Sequence, residues 1–166
     1  MPIANDLLEQ AEHLIRRERL KPRQASLRRG ISNAYYAIFH LLSSAAAEEV
    51  AKGRSAQMLV KRAVDHSEMR DVCRQFASGG LPVAVRSLLP GPLPDGLRVV
   101  AEGFSALQQA RHEADYDLTR AITRIEALAA LDETRRAFQE WAKVRKTNEA
   151  HVFLLALMFG RRWQRN

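Results

Sequence analysis

Residues 79–96 hold four of the chain's six prolines and four of its eight glycines. Proline lacks an amide donor and clashes with the preceding turn, so no helix survives that density. The segment is expected to be a loop, with at most a short apolar turn at VAVRSLL (83–89). Whatever the chain builds, it must build it from the stretches on either side.

Those stretches carry helical pattern. Leu7, Leu8, Ala11, Leu14 and Ile15 recur at helical spacing, with Asp6 and Glu9 as a capping box and Pro22 as the punctuation that follows. A second helix is expected from about Ser26 to Glu49, closed by Lys52-Gly53, and a third from Ser55 to Gly79-Gly80. Pattern resumes near Leu97 and reaches Arg111 or slightly beyond; further segments run from Thr119 to Lys146 and from Asn148 to about Trp163. No stretch shows strand-like alternation and no repeat is present. The expected fold is all-α, an antiparallel helical bundle of about five to six helices in a single domain, 1–166, with a loop at 79–96 and a C-terminal helix at 148–166.

A chain of 166 residues with 46% hydrophobic residues can bury a real core. The charge balance is basic: 26 Lys and Arg, only five of them Lys, face 19 Asp and Glu, a net charge of +7. The planar fork of arginine matches phosphate oxygens and stacks on bases, which suits RNA, although a codon bias toward arginine gives the same composition. The single Cys73 cannot form an intrachain disulfide, and no CxxC is present for zinc or redox work. The first residues lack the charged start and apolar run of a signal peptide. The longest clean apolar run, VFLLALMF (152–159), is far shorter than the roughly 20 residues a membrane span needs. The expectation is a cytoplasmic protein with no membrane partner.

Two segments carry more polar and aromatic residues than packing requires. In SLRRGISNAYYAIFHLL (26–42), Arg29, Asn33, Tyr36 and His40 fall at steps of four, three and four and are expected to share one helix face, with Arg28 beside them. Guanidinium, amide, phenol and imidazole all donate to phosphate oxygens, and the rings stack on bases. Arg28, Arg29, Asn33 and Tyr36 are therefore candidates for nucleic-acid binding. The same residues also serve in ordinary bundles as a buried tyrosine and a histidine satisfied between helices. The second segment is ARHEADYDL (110–118).

AYYAIFHLL (34–42), preceded by Ser32, and RHEADYDL (111–118) resemble the two signatures of small prokaryotic HEPN-domain proteins (higher eukaryotes and prokaryotes nucleotide-binding), roughly S-x-A-Y-Y-A-x-F-H and R-x-x-A-D-Y. The resemblance covers about residues 5–145. It implies a bundle of four or five long helices that dimerises through the face carrying the motifs. It further implies one of three roles: a metal-independent endoribonuclease, a partner of a nucleotidyltransferase in toxin–antitoxin or anti-phage loci, or an inactive relative that only binds. Active relatives carry Arg, a polar residue, three to five residues and a His. Here Arg111 is followed by His112, and Tyr116 stands where the His is expected. The resemblance thus makes Arg111 the candidate for neutralising a phosphorane. His40 and His112 become candidates for proton transfer, and Tyr116 and Tyr36 orienting groups. Asp115 is expected to cap the following helix or to pair with an arginine across a dimer.

The remaining features carry less. His13 and His66 have no ligand partners at metal spacing, and no glycine-rich phosphate loop is present, so neither metal nor cofactor is implied. Arg145-KTNEA-His151 matches the Arg-to-His spacing, but with so many arginines such a match arises by chance. The densest basic cluster is Arg16, Arg17, Arg19, Lys21, Arg23, Arg28 and Arg29; a second surrounds Trp163 as Arg161, Arg162 and Arg165. Either can be a solvated surface or a guide for RNA.

Overall fold

The structure is a computed structural model and describes residues 2–163. It is all-α: the described residues form eight helices and no strand. They are α1 (Pro2–Arg16), α2 (Gln24–Val50), α3 (Arg54–Arg62), α4 (His66–Ser78), α5 (Val83–Arg86), α6 (Asp95–Tyr116), α7 (Arg124–Val144) and α8 (Asn148–Trp163). Residues 164–166, including Arg165 of the basic tail, lie outside the described residues.

Eight replaces the expected five to six for two local reasons. The segment expected as one helix from Ser55 onward is two, α3 and α4. Asp65 adopts an extended backbone between them and its carboxylate accepts the amides of Ser67 at 2.8 Å and Glu68 at 3.0 Å. An N-cap with two amides satisfied starts a new helix rather than continuing the old one. The apolar turn within residues 79–96 closes as the single turn α5, packed on α8. Gly79, with φ of 75°, ends α4 in the left-handed region that L side chains avoid. The expected Asp6–Glu9 capping box does not form, because α1 already begins at Pro2, a first-turn position where the missing N–H costs nothing.

Contacts divide the chain into two compact units, with boundaries inside α2, α6 and α7. The first comprises residues 1–41 and 103–138. Its cross-helix contacts define the directions. Asn33 of α2 meets Gln10 of α1, and Gly30 lies against Ile15 and Ala11, so α1 and α2 run antiparallel. Tyr36 meets Arg111 while Ser32 meets Asp115, so α2 and α6 are antiparallel. Glu12 pairs with Arg135, and Arg124 donates to the carbonyl of Arg19, so α1 and α7 are antiparallel too. This unit is a packed helical bundle whose successive helices alternate in direction. Its core is Ile15, Leu27, Ile31, Tyr35, Ile38, Phe104, Leu107 and Leu131, filled in by alanines that let the helices approach closely. At Gly30 the approach excludes any side chain: a Cβ would lie 2.5 Å from Ile15 Cγ1 and 3.3 Å from the Ala11 carbonyl oxygen.

The second unit comprises residues 42–102 and 139–166. Its core gathers Met69, Val72, Phe76, Leu97, Trp141, Phe153 and Leu157. Phe76 and Phe153 meet edge to face at 4.9 Å between centroids, the arrangement ring quadrupoles favour. α8 packs on α4 and α5, which places the apolar run 152–159 in a core. Among the described residues no helix is long and apolar enough to cross a membrane.

Candidate functional site

The two polar segments meet within the first unit. Residues 111–116 of the second segment are the last turn and a half of α6. Facing them from α2 is a stripe at steps of four. Arg28 lies against the end of α6, Ser32 against Asp115, and Tyr36 against Arg111.

Arg111 is the centre of the cluster. Its Nε lies 2.7 Å from Asp115 Oδ2, one turn along the same helix, and its Nη2 donates to the Tyr36 hydroxyl at 3.3 Å. The guanidinium carbon lies 5.3 Å from the ring centroid of Tyr116, 5.7 Å from that of Tyr36 and 6.0 Å from that of Tyr35, within cation–π range of three rings. Burial pulls its pKa down, but Tyr36, Asp115 and Tyr116 outweigh that and hold it above the usual arginine value. The group is a permanent cation, three-quarters covered. Asp115 is oriented in turn by the Ser32 hydroxyl, which donates to Oδ2 at 3.2 Å. Asp115 therefore does not cap the following helix; it pairs with an arginine of its own chain. It lies inside α6 at i+4 from Arg111, the spacing at which helical side chains meet.

The imidazoles flank this centre through tyrosines. His112 is exposed, with its ring 5.1 Å from Tyr116, itself 63% exposed; together they form an aromatic ledge beside the guanidinium. His40 is half-buried, 6.4 Å from the ring of Tyr36 and edge-on to Phe39 at 5.4 Å.

The other candidates are placed differently. Asn33 is 5% exposed and its amide donates to Gln10 of α1 at 2.9 Å, so it faces away from Arg111 and into the helix interface. The four-residue stripe Arg29–Asn33–Tyr36–His40 is thus not a single working face; the stripe that meets α6 is Arg28, Ser32 and Tyr36. Arg28 donates through Nη1 to the carbonyls of Ala114 at 2.8 Å and Asp117 at 2.9 Å, and through Nη2 to that of Arg120. It satisfies carbonyls that the end of α6 leaves over, with its charge at the negative pole of that helix. Arg29 is exposed. Ser32 is the one member of this stripe that is not among the sequence candidates; its place four residues after Arg28 and four before Tyr36 is the signal that marks it.

Family models, curated proteins and solved structures give no match to this chain. Among the described residues no cluster of three or more His, Cys, Asp or Glu is placed to hold a metal ion. What the site offers is a fixed cation beside an exposed stacking surface, with two imidazoles one ring away.

A separate device secures the start of α7. Thr123 and Glu126 form a reciprocal capping box: the Glu126 amide donates to Thr123 Oγ1 at 3.2 Å and the Thr123 amide to Glu126 Oε2 at 2.7 Å. With the Arg120 guanidinium also against it, the Glu126 carboxyl is held down to about 2. The T-x-x-E pattern was legible in the sequence and sets the helix start at Arg124 rather than near Thr119.

Proposed function

We propose that the protein acts on RNA as a metal-independent endoribonuclease of HEPN type, in a toxin–antitoxin or phage-defence setting, with the Arg111 cluster as its phosphate site. The supporting observation is the joining of the two motif-bearing segments at Arg111: a permanent, oriented cation lies against Tyr36 and Tyr116 at a partly open surface. The resemblance of residues 34–42 and 111–118 to the HEPN signatures supplies the reaction class.

RNA brings its own nucleophile. The 2′-hydroxyl loses its proton and attacks the adjacent phosphorus, the bond to the 5′-oxygen breaks, and that oxygen takes up a proton. The products are a 2′,3′-cyclic phosphate and a 5′-hydroxyl. Arg111 serves the non-bridging oxygens, where charge accumulates and where a well-placed donor is worth a few kcal/mol. His112 and His40 serve the proton transfers, because imidazole changes charge near neutral pH. Tyr116 offers a face on which a base stacks. Two copies meeting across this face would bring two such cations to one strand.

One observation favours a second reading, a non-catalytic HEPN module that docks a nucleotidyltransferase partner or a nucleotide. Tyr116 stands where the family's histidine is expected, and the imidazoles of His112 and His40 lie against the rings of Tyr116 and Tyr36. Incubation of purified protein with total RNA in chelator, comparing wild type with Arg111→Ala, separates the two. Cleavage by the wild type that the variant lacks, with helicity and melting preserved, supports the ribonuclease. Wild-type protein that binds RNA but leaves it intact under all conditions supports the binding module. Cleavage that persists in Arg111→Ala removes Arg111 from the site.

A further inference from the structure

The connector between α1 and α2 presents an apolar side chain that the protein leaves in water. Leu20 is 93% exposed. The loop that carries it is nonetheless tied down. Arg124 of α7 donates to the carbonyl of Arg19 at 2.8 Å and to that of Glu18. The Glu18 carboxylate accepts the Ser26 hydroxyl at 2.9 Å. Around Leu20 stand Arg17, Arg19, Lys21 and Arg23, four cations against the single carboxylate of Glu18. The connector is a held apolar knob in a basic collar, costly to expose and preorganised for contact.

The same unit carries a cleft of complementary character between α6 and α7. Its volume is about 350 Å³, its floor is Leu107, Ile122 and Ala130, and the exposed alanines Ala106 and Ala129 form its sides. Glu113, Glu126 and Glu133 rim it, with Arg120 as the one cation, paired to the first two. Three carboxylates against one guanidinium leave an acidic mouth on a chain whose net charge is +7. RNA is repelled there, and a small-walled apolar cleft with an acidic rim suits an apolar side chain flanked by cations.

The geometry points to a homotypic contact: the Leu20 knob and its basic collar from one copy dock in the α6–α7 cleft of a second copy. The occupant is this chain because knob, collar, cleft and rim are all present on it with opposite charge. Each copy carries one knob and one cleft, so the contact either closes as a two-fold pair or extends head to tail. It is distinct from a pairing across the Arg111 face. An interface built on one leucine and surface charges is weak and salt-sensitive.

Sedimentation equilibrium up to about 1 mM protein, at low and high salt, tests it. Wild type is expected to self-associate at low salt and to dissociate as salt rises. Leu20→Asp, which places a charge in the cleft, and Ala129→Trp, which fills it, should each weaken association at least about tenfold. Both positions are exposed, so the fold is preserved. A mixture of Leu20→Cys and Ala129→Cys proteins should cross-link under oxidant in preference to either alone, since the native Cys73 is buried. A monomer throughout overturns the proposal. So does association that both variants leave unchanged, which places the contact on another face, and so does a mixture that fails to cross-link.

Discussion

The Nη2 of Arg111 donates to the hydroxyl of Tyr36 at 3.3 Å, although the two residues stand 75 positions apart in the chain. That bond, with Ser32–Asp115 and Arg28 at the end of α6, joins two helix stripes into one cluster. Tyr36→Phe removes it while keeping the ring. The expected cost is about 1 kcal/mol of stability, measured by denaturant unfolding. Under the proposed function, RNA affinity should fall less than in Arg111→Ala, because Asp115 still pairs with the guanidinium. An affinity loss as large as that of Arg111→Ala would assign the phenol a direct contact with RNA instead.

Tyr116 tests the stacking surface. Its ring is 63% exposed and has little to do in the core. Tyr116→Phe should retain RNA binding, whereas Tyr116→Ala should lose about 1–3 kcal/mol of it, the usual worth of a base–aromatic stack. An equal loss in the two variants in a fluorescence-anisotropy titration would show that the hydroxyl matters, and binding unchanged in both would remove Tyr116 from the contact.

Arg28 separates architecture from recognition. Its guanidinium serves the carbonyls of Ala114, Asp117 and Arg120. Arg28→Ala is expected to destabilise the protein by about 2–3 kcal/mol, since charged hydrogen bonds to otherwise unserved carbonyls are lost. The chemical-denaturation midpoint should drop, with RNA binding per folded molecule nearly unchanged. A stable Arg28→Ala protein with sharply weaker RNA binding would return Arg28 to the nucleic-acid contacts.

Acid should loosen the start of α7. The Thr123 amide and the Arg120 guanidinium hold the Glu126 carboxyl at about 2, below its usual 4.5. A carboxyl whose pKa is lower when folded binds its proton more readily when unfolded. Its stabilisation is therefore complete above about 4.5 and is lost as pH falls toward 2. Melting temperature should decline across that window, and Glu126→Gln should flatten the decline. At neutral pH the same variant should cost about 1 kcal/mol through the weakened capping box. A pH profile identical in wild type and Glu126→Gln would deny the carboxylate this role.

Gly30 tests the contact of α1 with α2. Its added Cβ would meet Ile15 Cγ1 at 2.5 Å, so the Ile15 side chain must shift. Gly30→Ala gains helix propensity of about 1 kcal/mol but overpacks the interface by about 1–3 kcal/mol. The expected balance is a lower melting temperature, and pairing it with Ile15→Val should restore part of the loss.

The sequence by itself determined the helical class and the approximate place of the long helices, because periodicity is a local property, but not the break at Asp65 or the start of α7. The spacing of Leu14, Ile15 and their neighbours, the Gly79 stop and the proline density of 79–96 were all legible one element at a time. It also showed that residues 26–42 and 111–118 were richer in polar and aromatic groups than packing needs. Only the tertiary structure decided how these were used. Asn33 and Ser32 are adjacent in the chain, yet one turns to Gln10 of α1 and the other to Asp115 of α6. Arg28 became a cap for the end of α6, and Asp115 a lock on Arg111. Spacing fixes which residues share a side of one helix, but the neighbour that side meets depends on the simultaneous packing of every other helix in the unit.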